Sequence, residues 1–119
     1  MTANDFKEEF YKRTYSYALD VLKFIKTLPL DQASRILGNQ VIRSATSVAA
    51  NLVEAKAASS KRDYINFYSH SLKSANESMF WLNLIRDYFT LKNSEVPRLI
   101  SETDEIAKMS DEQICNLVI

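Results

Sequence analysis

Glycine and proline are nearly missing: the 119-residue chain holds one glycine and two prolines. Sheets and loop-rich folds need turn residues, so this scarcity favours a few long helices with short connections. Cysteine is confined to Cys115, which has no partner for an internal disulfide and no companion thiol for a metal. A lone thiol of this kind fits a reducing compartment. Histidine is confined to His70, set between Ser69 and Ser71 in a helical stretch. No Gly-rich strand-turn-helix elbow exists to expose a nucleophile. A single glycine also excludes a phosphate-binding loop. Net charge is +0, which removes any bulk attraction to nucleic acid. No apolar run approaches the roughly 18–20 residues that span a bilayer, and "MTANDFKEEFYKR" lacks the apolar core of a signal peptide. The expectation is a soluble, cytoplasmic protein with one domain over residues 1–119, long enough to bury a single core.

What is present is helical periodicity. Four helices are expected, at about residues 4–28, 31–58, 61–91 and 95–109, folded as an all-α, up-and-down antiparallel four-helix bundle. In the first, Phe10, Thr14, Tyr17, Val21, Phe24 and Leu28 recur at spacings of four and three, which is one face of an amphipathic helix. Pro29 stops it. Asp31 is a suitable N-cap for the second, whose stripe is Ser34, Gly38, Val41, Ala45, Val48, Leu52 and Ala55. Gly38 either belongs to that stripe or breaks off a short leading turn. Ser60 with Asp63 resembles a capping box before the third helix. Its stripe, Tyr64, Tyr68, Ser71, Ala75, Ser78, Leu82, Ile85 and Phe89, has the period of a coiled-coil seam. Ser94 is the expected N-cap of the fourth, with Pro97 tolerated in its first turn. Residues 110–119 read as either a short terminal helix or a tail.

The second helix is built from thin side chains. Small residues allow helices to approach closely where several crowd together. Beside the apolar stripe run Ser44, Ser47, Asn51 and Glu54. A buried carboxylate persists only when paired or hydrogen-bonded. Arg43, Ser44, Asn51, Glu54 and Glu77 are therefore grouped as a polar cluster between the second and third helices, with Lys73 or Arg86 as further members. Glu54 and Glu77 facing each other would resemble a di-metal bundle site, but such sites need Glu-x-x-His motifs. His70 lacks a Glu three residues before it, so no metal, cofactor or catalytic residue is expected.

The third helix is apolar on more than one side. Phe80, Trp81, Leu84 and Tyr88 lie off the main stripe, and a helix apolar on two sides must be covered twice. Either the fourth helix and the tail cover them, or copies of the chain do. Self-association is the simpler remedy, and these four residues are the expected oligomer interface. Burying one Trp or Phe there is worth about 1.5–3 kcal/mol.

Two stretches, "QVIRSATSVAANLVEA" and "SSKRDYINFYSHSLKSANESMFWL", resemble the four-helix bundle family tied to intervening sequences in bacterial 23S rRNA genes, also labelled S23. Gln40, Arg43, Ser44, Ala45, Ser47, Val48, Asn51 and Glu54 carry the first part of its pattern. Ser60, Tyr64, Phe67, Leu72, Ser74 and Glu77 carry the second, and "KTLP" resembles the link between the first two helices. The likeness spans about residues 15–110. Ala55 and Lys73 depart from it, each standing where the family commonly has Gly. The resemblance implies an up-and-down bundle assembling as a homopentameric ring, with no established enzymatic activity; despite the S23 label it does not imply a structural role in the ribosome. It also implies kinship with the accessory protein of diversity-generating retroelements, which partners a reverse transcriptase and nucleic acid.

Charge is unevenly spread. Residues 1–92 carry 13 Lys/Arg against 9 Asp/Glu, whereas residues 93–119 carry 2 against 6. Arg35, Lys56, Lys61 and Arg62 are candidate nucleic-acid contacts, since a modest patch repeated around a ring gains from multivalency. Two functional readings follow. One is a non-enzymatic, self-assembling scaffold or adaptor of unnamed partner. The other is a nucleic-acid-binding accessory protein, which would be retained on RNA or DNA in a salt-dependent way. No small-molecule substrate and no membrane partner is expected.

Overall fold

The computed structural model describes residues 2–90 and 95–118. Four helices follow one another: α1 (Ala3–Ile25), α2 (Gln32–Lys56), α3 (Lys61–Phe89) and α4 (Glu95–Val118). No strand occurs among the described residues. α1 packs on α2, α2 most extensively on α3, α3 on α4, and α4 returns to α1, while across the α1–α3 diagonal the Phe10 ring stacks on Tyr68 at 6.4 Å. This closed cycle, with short links at 26–31 and 57–60, is an up-and-down antiparallel bundle. Its extents are 44 × 24 × 20 Å.

Local chemistry sets the helix starts. Thr2 and Asp5 form a capping box at α1, each side chain accepting the other's backbone N–H at 3.1 Å. Asp31 caps α2 by accepting the Ser34 N–H at 2.8 Å. Ser60 caps α3 by accepting the Asp63 N–H at 3.1 Å. The second half of a box is not formed there, because the Asp63 carboxylate accepts the Ser59 hydroxyl at 3.0 Å instead. Thr90 ends α3 with φ 51°, a left-handed position more usual for Gly or Asn.

Some boundaries differ from the sequence pattern. α1 stops at Ile25 rather than Leu28, where two tight turn bonds, Thr27 N–H to Phe24 and Leu28 N–H to Ile25, wind the chain off the helix. Leu28 still reaches the core. α4 does not stop near Met109 but continues to Val118. No Gly or Pro interrupts residues 110–118, Ser110 is buried with its hydroxyl on the Ile106 carbonyl at 2.9 Å, and Ile114 packs on the core. The expected Ser94 cap and the Leu91 end of the third helix lie outside the described residues.

The core runs the length of the bundle. Phe10, Tyr17, Val21 and Phe24 come from α1, and Val41, Ala45, Val48 and Leu52 from α2. Tyr68, Ala75, Leu82 and Ile85 come from α3, and Val96, Leu99 and Ile106 from α4. Small residues bring α2 against α3. The Ser71 hydroxyl reaches the Val48 carbonyl of the facing helix at 2.8 Å, and the Ser78 hydroxyl meets that of Ser44 at 2.8 Å. A bridge from a serine side chain to a facing backbone needs close helix approach. Gly38 does not break α2; it lies buried within the helix. A β-carbon added there would stand 3.0 Å from Ile25 Cγ2, so the residue's role is the close crossing of α1 and α2. Between α1 and α4, the Tyr17 phenol and Thr103 hydroxyl share a buried 2.7 Å hydrogen bond, and burial raises the phenol's pKa.

Candidate functional site

Residues 80, 84 and 88 follow one another at intervals of four, so they share one side of α3. That side is opposite Ser78, Leu82 and Ile85, which are fully buried. Neither α4 nor its extended C-terminal part covers it: Phe80, Leu84 and Tyr88 remain 57, 38 and 56% exposed. Trp81 differs from its neighbours. It is half-buried and packs on the core, with the Phe80 ring edge-on at 4.9 Å. At a similar height on α2 stands an exposed apolar residue that the sequence pattern did not single out. Ser44 on Ser78 and Ser47 on Ser74 fix an antiparallel register, which levels Ile36 with the stretch of α3 near Ile85. Ile36 is 54% exposed. The available signal was an isolated apolar residue off the α2 stripe, which by itself is ordinary surface composition.

The polar cluster is only partly assembled. Arg43 forms an ion pair with Glu77 and donates to Gln40 at 3.0 Å. Glu77 also accepts the Trp81 indole N–H at 2.8 Å. That indole bond first, and the Arg43 bond second, hold the Glu77 carboxyl below its ordinary pKa. Ser44 lies deeper, bonded to Ser78. Asn51 joins a separate group, donating to the Ser47 carbonyl at 2.9 Å and hydroxyl at 3.0 Å, while Ser74 donates to Ser47 at 3.0 Å. Glu54 does not join. It is exposed and has no ion-pair partner among the described residues. The reason is register: with Arg43 level with Glu77, Glu54 stands eleven residues further along α2, about 16 Å away. Arg86 is spent on Asp87 at 2.9 Å, and Lys73 is exposed. Among the described residues no group of three or more His, Cys, Asp or Glu is placed to hold a metal. His70 is exposed beside Phe67, and Cys115 is exposed.

Three of the four candidate cations, Lys56, Lys61 and Arg62, lie at one end of the bundle, and Arg35 lies at the other. Arg35 sits in the first turns of α2 and Lys56 at its end, about 30 Å apart along the axis. Arg62 borders a small hollow with Asp63, Ile65, Asn66 and Ser69. Lys56 and Lys61 share a larger groove, of about 960 Å³, at the end of the bundle where α1 begins, α2 ends, α3 begins and α4 ends. Lys7 completes this set, its ammonium 4.8 Å above the Tyr64 ring. The sequence pattern could not give Lys7, which lies in a helix distant in the chain.

The family model described as 23S rRNA-intervening sequence protein matches residues 7–112. Among solved structures, one is similar at a TM-score of 0.81 and 28% identity, covering 88% of this chain and 97% of that one. It is a Bacteroides thetaiotaomicron protein of unknown function from the S23 ribosomal protein family. The search of curated proteins returned no match.

Proposed function

This chain belongs to the 23S rRNA-intervening sequence protein family, and from that premise we propose that it is a non-enzymatic scaffold or adaptor that assembles with copies of itself. The carrying observation is the outward side of α3, where Phe80, Leu84 and Tyr88 stand exposed, with Ile36 of α2 also exposed at a similar height along the bundle. Apolar side chains aligned in this way on a helix lose contact with water when two copies pair. The ring of five is the stoichiometry implied by the family resemblance. The half-buried Trp81, held by Glu77, gives the patch a fixed edge, and a preset edge reduces the entropy lost on association. A cytoplasmic location belongs to the same reading.

The test is size exclusion with in-line light scattering on the wild type and on Phe80→Ser/Tyr88→Ser. The wild type elutes as an assembly. The variant, changed only at exposed positions, retains its helical circular dichroism and elutes as a monomer. A wild type that is already monomeric, or a variant that assembles unchanged, contradicts the proposal.

The nucleic-acid reading, with a reverse transcriptase as protein partner, is supported by the excess of cations in residues 1–92. Arg35 stands about 30 Å along α2 from Lys56, which weighs against all four cations forming one phosphate-tracking surface on a subunit. Retention on an RNA column that falls steeply with salt, and is lost in Lys61→Glu/Arg62→Glu, would favour it.

A further inference from the structure

We infer that the groove at the α1/α2 end of the bundle is the docking site for a short, acidic, amphipathic helix of a partner protein. This deepens the adaptor half of the functional reading and rests on it, while using a different surface from the α3 patch. Tyr64 precedes Phe80 by sixteen residues, about 24 Å along α3.

Three observations carry it. The first is the floor. Leu52 and Ala55 from α2, Tyr64 and Tyr68 from α3, and Tyr11 from α1 line the groove. Tyr64 and Tyr68 lie 5.0 Å apart, so much of the floor is ring and aliphatic surface. Grooves of this composition between two helices accept the apolar face of a third. The second is size. The lining runs from Asn4 to Tyr11 on α1 and from Leu52 to Ala58 at the end of α2, about 9–10 Å of axis at 1.5 Å per residue. That is close to two helical turns, enough for apolar anchors at i, i+3 or i+4, and i+7. The third is charge. Lys7, Lys56 and Lys61 stand on the rim against one acid, Glu8. A neutral apolar helix would leave this excess unanswered, whereas acidic residues beside the anchors complement it and speed encounter. A single-stranded nucleic acid also favours lysines, but it needs ring faces open for stacking. Here Tyr68 is buried and Lys7 lies over the Tyr64 ring, which blocks stacking on a ring face but leaves ring edges and aliphatic surface for an apolar helix to pack against.

The experiment is selection of a phage-displayed library of random 16-residue peptides on the intact chain, then fluorescence anisotropy with the enriched peptides. Enriched sequences should be acidic and carry apolar residues at helical spacing. Their affinity should fall at least ten-fold on Lys7→Glu/Lys56→Glu and stay within two-fold on Phe80→Ser/Tyr88→Ser. The lysines are exposed, so the first variant should keep its thermal midpoint and its assembly state. The inference is overturned if no peptide is enriched, if enriched peptides lack acidic residues, or if the lysine variant binds them unchanged. It is also overturned if that variant loses assembly, which assigns the groove to a contact between copies, or if a twelve-residue uridine oligomer binds in place of the peptides and loses binding in that variant. A failure confined to the α3 variant's assembly leaves this outcome separate and counts against the assembly proposal.

Discussion

The hydroxyl of Ser78 on α3 donates to that of Ser44 on α2 at 2.8 Å, and both residues are completely buried. The thin side chains of α2 thus set the distance between two helices, and the serines satisfy each other within it. Ser78→Leu should cost about 1–3 kcal/mol through overpacking. Ser78→Ala should cost about 1 kcal/mol through the lost hydrogen bond. Urea unfolding followed by circular dichroism measures both. A leucine variant as stable as the wild type would mean that close approach is not what these positions serve.

Gly38 answers to a single neighbour. Ala has a helix propensity about 1 kcal/mol better than Gly, but its β-carbon would meet Ile25 Cγ2 at 3.0 Å. Gly38→Ala alone should therefore gain less than that difference. In an Ile25→Ala background, where the opposing methyl is gone, the same change should recover most of it. A double-mutant cycle by denaturant unfolding reports the coupling. Strict additivity would count against the contact.

Trp81 is the only tryptophan, so its emission reports directly on Glu77. The Glu77 carboxyl is held below the ordinary glutamate range, first by the Trp81 N–H and then by Arg43. A depressed folded pKa gives a contribution that is complete above the ordinary value, about 4.3, and lost as pH falls through the lowered one. Trp81 emission should thus change on the acid side of the ordinary glutamate range, and Glu77→Gln should remove that transition. Because Glu77 is partly exposed, the stability change should be small and should shrink further in high salt.

The last turns of α4 are part of the bundle. Ser110 is buried and Ile114 packs on the core, so ending the chain after Met109 should lower the thermal midpoint by several degrees, as expected for a loss of about 1–2 kcal/mol in a domain of this size. A truncated chain with an unchanged midpoint would show that this stretch adds helix without adding packing.

The helical stripes of Phe10 to Phe24, Val41 to Ala55 and Tyr68 to Ile85 were legible because a period near 3.6 survives in any sequence that packs one face of a helix. The α4 extension was less so. Its polar run at 110–113 hides a buried serine, and burial of Ser110 depends on how α4 lies against its neighbours. Arg43 and Glu77 were legible as members of one polar cluster, but their pairing and the exclusion of Glu54 were not. Register across two helices decides both, and register is a tertiary property. Lys7 beside Lys56 and Lys61 is the same case: proximity across some fifty residues is set by the fold alone. The exposed side of α3 was readable because large apolar residues recur there at intervals of four, whereas the height of Ile36 relative to it follows only from the α2–α3 register.

The most direct test of self-assembly through α3 is the mass of the intact chain by sedimentation equilibrium at tens of micromolar. The predicted result is an assembly well above the 13.7 kDa of one chain, near five-fold if the ring implied by the family forms, with Trp81 less accessible to acrylamide than in Phe80→Ser/Tyr88→Ser. A single species at the monomer mass, with Trp81 quenched equally in both proteins, would contradict it.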